Sequence, residues 1–210
     1  MHGYVSDAVI RRMPAYYRHL RELEEAGVAQ ISSQELGERM GLTPSQVRQD
    51  INSFGGFGRQ GYGYPVHELK EHIRQTMGLD REHRMVILGA GRVGMAIASY
   101  AGFPQEGFRT AALFDVDPEK IRMSTDAMPI WPREELAERM REIGGVDIAV
   151  LALPAEAAQE ALDELYGTGI RAIWNFAPVD LQHPEDMTIV NVHLSDTLQI
   201  LSYRMNHTEE

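Results

Sequence analysis

The chain has 210 residues, of which 43% are hydrophobic, and it carries a formal net charge of −11 with no cysteine. This length suits one large domain or two small ones, and the lack of cysteine excludes disulfides, thiolate metal sites and cysteine redox chemistry. The sequence has no signal-peptide core and no apolar run of about 18 residues, so we expect a cytoplasmic protein without a membrane partner.

The negative charge lies in the second half of the chain. Lysine and arginine balance aspartate and glutamate over residues 1–84, whereas residues 85–210 carry the whole excess of −11. A neutral first half can still hold a local basic face against phosphates, so nucleic-acid binding by this half stays open.

Residues 13–54 predict a helix followed by a helix-turn-helix. The first helix ends at Gly27, with Pro14 in its first turn or at a kink, and its apolar residues are Met13, Tyr17, Leu20 and Leu23. Ser32 opens a second helix that ends at Gly41, and Thr43 opens a third. The buried stripe of the third helix is Val47, Ile51 and Phe54. Side chains left for solvent or a DNA major groove are Ser45, Gln46, Arg48, Gln49 and Asn52.

The next segment, residues 54–64, holds five glycines interleaved with aromatic residues. We expect a two-stranded wing that brings Arg59, Gln60, Gly61 and Tyr62 against a groove or phosphates. A structural hairpin without a ligand is the alternative. An amphipathic helix that ends at Gly78 follows the wing.

A dinucleotide fingerprint begins the second half. Its residues are Gly89, Ala90, Gly91, Arg92, Val93 and Gly94, between a predicted strand over 85–88 and a helix that continues over 95–100. Such glycines permit a tight turn, close approach of a pyrophosphate and close helix–strand packing.

The strand predicted over 110–114 ends at Asp115, with Val116 beside it. A carboxylate at this place bonds the adenine ribose hydroxyls and repels a 2′-phosphate, which favours NAD over NADP. Asp115 follows Gly89 by 26 residues, against a usual ~20, and the loop over 102–107 can absorb the difference. A solvated strand end is the alternative.

Alternating helices and strands continue to the C terminus. Cofactors contact residues that follow the carboxyl ends of parallel strands. We therefore expect two segments to line the cofactor site: Leu153 and Pro154, and Asn175, Phe176, Ala177 and Pro178. The last helix has a wide apolar face that we expect to pack on a partner.

The fold class is therefore α/β with two domains. We expect a winged helix-turn-helix over 1–80 and a Rossmann-type doubly wound parallel sheet over 85–194. The C-terminal helix and tail occupy 195–210.

Six segments carry a more specific similarity: VRQDINSFGGFG (47–58), GYGY (61–64), ILGAGRVGMAIASYAGF (87–103), FDVDPEKI (114–121), LPAEAAQ (153–159) and NFAPV (175–179). With them the chain resembles the Rex family of redox-sensing transcriptional repressors over nearly its whole length. The resemblance implies a homodimer with a swapped C-terminal helix that binds double-stranded operator DNA. It also implies that NADH releases the operator and that NAD⁺ permits binding. Tyr100 would lie near the nicotinamide, and Arg18 would join a switch with the partner subunit.

The chain departs from the family pattern at three positions. Gln49 and Gln60 stand where the family usually has lysine and arginine, and either exchange can weaken or redirect operator recognition. His193 replaces the acidic partner of the first-helix arginine, and Asp196 is close enough in sequence to take that role.

Three alternatives remain. A relative that binds DNA and NAD(H) but responds weakly to redox state is motivated by His193. A small dehydrogenase is disfavoured because one nucleotide domain leaves no room for a substrate domain and no Tyr-x-x-x-Lys occurs. Metal sensing is disfavoured because the eight histidines are scattered.

Overall fold

The computed structural model describes residues 5–55 and 63–207 and divides into two compact units, residues 1–81 and 82–210. The wing residues Arg59, Gln60, Gly61 and Tyr62 lie outside the described residues. None of the helices in the described ranges has the length and apolar character needed to cross a bilayer.

The first unit packs four helices around one apolar core. The helices are α1 (Asp7–Glu25), α2 (Ser33–Met40), α3 (Pro44–Ser53) and α4 (Val66–Thr76). Two short strands, β1 (Gln30–Ile31) and β2 (Tyr64–Pro65), pair antiparallel, with Ile31 opposite Tyr64. This pairing closes the chain on itself directly after the glycine-rich segment.

The predicted start of the first helix is wrong. The helix begins at Asp7, so Pro14 lies in its interior rather than in its first turn. Proline cannot donate to the carbonyl of Ile10, but Ile10 is half exposed, so water can satisfy that carbonyl. Tyr16 is fully buried, whereas the predicted core residue Tyr17 is only partly buried.

The caps of the helix-turn-helix are confirmed. Ser32 accepts from the Glu35 N–H and Thr43 from the Gln46 N–H, and each partner side chain bonds back to the capping residue. Gly41 ends α2 in the left-handed conformation, with φ of 66°. These local bonds fix where both helices begin and how the chain turns between them.

The second unit is a six-stranded parallel sheet covered by helices on both faces. Its strands are β3 (His83–Leu88), β4 (Phe108–Asp115), β5 (Ile130–Pro132), β6 (Ile148–Leu151), β7 (Ala172–Asn175) and β8 (Thr188–Asn191). Its helices are α5 (Arg92–Ala98), α6 (Pro118–Ile121), α7 (Leu136–Ile143), α8 (Ala155–Gly167) and α9 (Leu194–Asn206). The order β5-β4-β3-β6-β7-β8 confirms the doubly wound fold. The order reverses between β3 and β6, where such sheets form a ligand crevice at their carboxyl edge.

Two details of this unit differ from the prediction. The helix expected over 95–100 ends at Ala98, with Ser99 as its C-cap residue and the Ser99 hydroxyl donating to the Met95 carbonyl. Strand β5 was not predicted, since three residues are too few to show an alternating pattern.

Helix α9 has no buried residue. Its large apolar side chains are more than half exposed: Leu194, Leu198, Ile200, Leu201, Tyr203 and Met205. Exposed apolar surface of this extent is typical of an interaction face.

Candidate functional site

The predicted cofactor residues converge at the carboxyl edge of the sheet. The glycine-rich loop follows β3, Asp115 and Val116 lie at the end of β4, and Leu153 and Pro154 follow β6. Asn175, Phe176, Ala177 and Pro178 lie at and beyond the end of β7. Four neighbouring strand ends therefore surround the crevice at the switch point.

The three glycines of the fingerprint differ in what a side chain would meet at each position. Gly89 has φ of +101°, and a Cβ there would lie 2.3 Å from the carbonyl oxygen of Ala152. A Cβ on Gly94 would lie 1.8 Å from the carbonyl oxygen of Gly89, so α5 packs directly against the loop. A Cβ on Gly91, in contrast, would meet nothing within 4 Å. Gly91 thus leaves open space directly before the N terminus of α5, where backbone N–H groups can bind an anion.

Asp115 accepts several hydrogen bonds at the crevice. Its carboxylate accepts from the Ala90 N–H at 2.6 Å, from the Asp117 N–H at 2.9 Å and from the Lys120 ammonium at 3.0 and 3.2 Å. Burial raises the pKa of Asp115, and these donors lower it by more, so the pKa lies below its ordinary value. The carboxylate is thus ionised and ties the glycine loop to the end of β4.

Asn175 shapes the wall beyond β7 from a fully buried position. Its Nδ2 donates to the Val179 carbonyl at 3.0 Å and to Asn191 Oδ1 at 2.9 Å, and its Oδ1 accepts from the Ala177 N–H at 3.0 Å. These bonds fix the loop that follows the strand. On the neighbouring strand end, Pro154 precedes α8 as its N-cap residue.

Tyr100 lies beyond the end of α5 and is 57% exposed. A run of edge-to-face aromatic contacts joins it to the β7 wall. Its ring centroid is 4.7 Å from that of Phe103, Phe103 is 5.8 Å from Trp174, and Trp174 is 4.6 Å from Phe176. Packed aromatic rings therefore support the exposed phenol of Tyr100.

The predicted DNA-contacting residues of α3 are all exposed: Ser45, Gln46, Arg48, Gln49 and Asn52. Two of them also have roles within the protein. Gln46 Oε1 accepts from the Thr43 N–H at 3.0 Å, and Arg48 donates to the Ser33 hydroxyl at 3.1 Å. Gln46 is therefore the weaker candidate for base contacts, since its amide oxygen is already used, whereas Arg48 keeps further N–H donors.

A buried ion pair behind α3 was missed at the level of sequence. Arg12 of α1 donates twice to Asp50 of α3, both times at 2.7 Å, and the Tyr16 hydroxyl donates to the same carboxylate at 3.0 Å. Burial and the adjacent carboxylate raise the pKa of Tyr16 well above its usual value, which keeps it a donor. The available signal was spacing, because Asp50 follows Val47 by three residues and shares its buried face.

The predicted switch residues lie in different units, Arg18 in the first and His193 and Asp196 in the second. Arg18 is exposed on α1, and His193 is the N-cap residue of α9. His193 Nε2 lies 3.7 Å from Asp180 Oδ1 of the same chain, and Asp196 is exposed in the first turn of α9.

Comparisons with known proteins cover both units. A family model described as "Putative DNA-binding protein N-terminus" matches residues 4–52, and one described as "CoA binding domain" matches residues 80–179. The chain is 47% identical over 209 residues to "Redox-sensing transcriptional repressor Rex" of Thermoanaerobacter sp. (strain X514), with 98% of this chain and 91% of that protein covered. The protein of the same name in Clostridium beijerinckii is 46% identical over 208 residues, with 99% and 98% covered.

Solved structures agree over the same extent. The crystal structure of RSP, a Rex-family repressor, in complex with β-NAD⁺ and operator DNA superposes on this chain with a TM-score of 0.91 at 45% identity. The match covers 98% of this chain and 94% of that one. RSP in complex with β-NADH superposes with a TM-score of 0.89 at 43% identity, covering 97% and 95%. These relatives are transcriptional repressors, not dehydrogenases.

Proposed function

The chain belongs to the Rex family of redox-sensing transcriptional repressors, and on that premise we propose that it binds operator DNA and releases it when NADH occupies the crevice. The observation that carries the proposal is the shaped glycine loop next to an ionised Asp115, in a chain that also has a capped helix-turn-helix. It acts as a regulator in the cytoplasm, where operator DNA and the NADH pool occur together.

The crevice suits both forms of the cofactor. The loop from Gly89 to Gly94 takes the diphosphate, and Asp115 and Val116 take the adenine ribose and adenine. The residues after the strand ends, Leu153–Pro154 and 175–178, line the nicotinamide half of the cofactor. Tyr100 lies near the nicotinamide ring. RSP is known in complex with both β-NAD⁺ and β-NADH, which supports binding of both forms here.

DNA recognition falls to α3 and the wing. Arg48, Gln49 and Asn52 project from the exposed face of α3 and are able to reach base edges in a major groove. The residues at 59–62 take the wing contacts to phosphates or the minor groove. RSP in complex with operator DNA supports this assignment.

Redox control requires that the two cofactor forms stabilise two arrangements of a dimer to different extents. The exposed apolar side chains of α9 support a dimer in which each C-terminal helix is swapped onto the other subunit. NADH favours a closed dimer that no longer matches two half-sites, and NAD⁺ leaves the DNA-bound arrangement populated. Arg18, His193 and Asp196 contribute the polar contacts between subunits that distinguish these arrangements.

A second candidate function is supported by one contact. His193 Nε2 lies 3.7 Å from Asp180 Oδ1 of its own chain, so this side chain has an acidic neighbour within the protomer. A repressor with this arrangement binds DNA and cofactor but transmits redox state weakly.

Measuring operator binding in the presence of each cofactor distinguishes the redox sensor from the weakly responsive repressor. The operator is first selected from random duplexes with the protein and NAD⁺, and its affinity is then measured by fluorescence anisotropy. The redox sensor loses at least about tenfold in operator affinity with NADH, a typical coupling of 1–3 kcal/mol. Equal operator affinities in NADH and NAD⁺ support the weakly responsive repressor, and selection of no duplex refutes DNA binding.

A further inference from the structure

The adenine-ribose end of the crevice contains a cation to which sequence reasoning gave no role. Lys120 lies on α6 and directs its ammonium at both oxygens of Asp115, at 3.0 and 3.2 Å. The Lys120 side chain is 35% exposed, whereas that of Asp115 is 5% exposed. The lysine therefore stands at the rim of the crevice and the carboxylate at its floor.

The donors on the Asp115 carboxylate differ in mobility. The Ala90 and Asp117 N–H groups belong to the glycine loop and to the turn before α6, so their positions are fixed by the fold. The Lys120 ammonium is held by a flexible side chain open to solvent. With two contacts already on each oxygen, an incoming donor must share or replace the Lys120 contacts.

A ribose diol needs more than an acceptor. Each hydroxyl donates one hydrogen and also accepts through its oxygen, whereas an ionised carboxylate can only accept. Asp115 can satisfy the hydroxyl hydrogens but not the hydroxyl oxygens. An ammonium has three N–H donors, and within the described residues the contacts of Lys120 use two, both on Asp115.

We propose that Lys120 is a second ribose ligand, which donates to the hydroxyl oxygens of the adenine ribose while Asp115 accepts from the same diol. This inference rests on the proposed function, because it needs NAD(H) in the crevice. The adenine ribose is identical in NADH and NAD⁺. Lys120 therefore sets how tightly both forms bind and leaves their ratio of affinities unchanged.

The test uses the full-length protein and calorimetric titration with NADH and with NAD⁺. Lys120→Met removes the donors, Lys120→Arg keeps them, and Arg122→Met is the matched control. Arg122 is an exposed cation two residues away that pairs with Glu119, so its loss changes net charge equally without reaching Asp115. Thermal melts establish that each variant is folded.

We expect Lys120→Met to weaken NADH and NAD⁺ each by about tenfold, the scale of one charge-assisted hydrogen bond. Lys120→Arg restores most of the affinity, and Arg122→Met stays within about twofold of the wild type, as expected for an exposed ion pair. A second readout uses NAD⁺ analogues that lack the 2′-hydroxyl or the 3′-hydroxyl of the adenine ribose. Loss of the hydroxyl that Lys120 contacts costs less affinity in Lys120→Met than in the wild type.

Three results overturn the inference: unchanged affinity in Lys120→Met, a change in only one cofactor form, or equal deoxy-analogue penalties in the variant and the wild type. Each of these leaves the proposed function intact, because the wild type still binds NAD(H). A wild-type protein that binds neither cofactor instead overturns the proposed function, and the role of Lys120 with it.

Discussion

Replacing Arg12 by methionine should destabilise the winged-helix unit strongly without affecting the nucleotide-binding unit. The variant removes both charged hydrogen bonds from a carboxylate whose side chain is 4% exposed. Among the described residues, it leaves Asp50 with the Tyr16 hydroxyl as its remaining donor. Removing one partner of a buried pair costs roughly 3–5 kcal/mol. Because the Arg12 side chain is 33% exposed and water can reach the site, we expect about 3 kcal/mol.

This cost can be measured separately for the two units. Both tryptophans, Trp131 and Trp174, lie in residues 82–210, so their fluorescence follows the second unit, whereas far-UV circular dichroism follows both. In urea, Arg12→Met should move an early dichroism transition to lower denaturant and leave the tryptophan transition in place. Arg11→Met, an exposed neighbour, serves as the control and should change neither.

The double variant Arg12→Met/Asp50→Asn tests the physical reason. Neutralising Asp50 removes the uncompensated buried charge, so the double variant should be more stable than Arg12→Met alone. A loss below about 1 kcal/mol in Arg12→Met, the size of an exposed pair, would show that the Asp50 carboxylate is not held as a buried charge. So would a double variant that costs the sum of the two single ones.

Three further predictions concern the crevice and the last helix. Gly91→Ala should keep the melting temperature of the wild type but lose NADH affinity, because its methyl group would occupy the space proposed for the diphosphate. Gly94→Ala should lower both the melting temperature and the NADH affinity, because its Cβ would lie 1.8 Å from a carbonyl oxygen. Unchanged NADH binding in Gly91→Ala contradicts the assignment. Asp115→Asn should lower NADH affinity at least about tenfold, measured by titration. Since the folded pKa of Asp115 is depressed below 3.8, its stabilising contribution is present above that pH and is lost as the pH falls through the folded pKa. Urea melts of wild type and Asp115→Asn should therefore differ at pH 7 and converge in acid. Leu198→Glu with Leu201→Glu should convert a dimer to monomers in light scattering, and a persistent dimer would show that this face of α9 lies outside the interface.

The elements that the sequence predicted well depend on local chemistry. The capping boxes at Ser32 and Thr43 act over three residues, and the turn at Gly89 needs a positive φ, so the residue types alone identify them. The parallel sheet followed from alternation of helices and strands over the whole second half.

The parts that were missed depend on pairing over distance or on very short elements. Arg12 and Asp50 are 38 residues apart, and nothing local to either shows that they meet. Lys120 reaches Asp115 only because α6 turns back over the strand end. Helix α1 continues through Pro14 beside a half-exposed Ile10, and the residue pattern alone does not show that the helix tolerates an interior proline.

Redox control requires that the cofactor crevice and the DNA-reading helix are energetically coupled, and coupling between binding sites is reciprocal. The most direct measurement is NADH affinity with and without saturating operator duplex, compared with operator affinity with and without NADH. We expect operator DNA to weaken NADH binding by the same factor by which NADH weakens operator binding, about tenfold or more. An NADH affinity that operator DNA leaves unchanged would show that the two sites are not coupled.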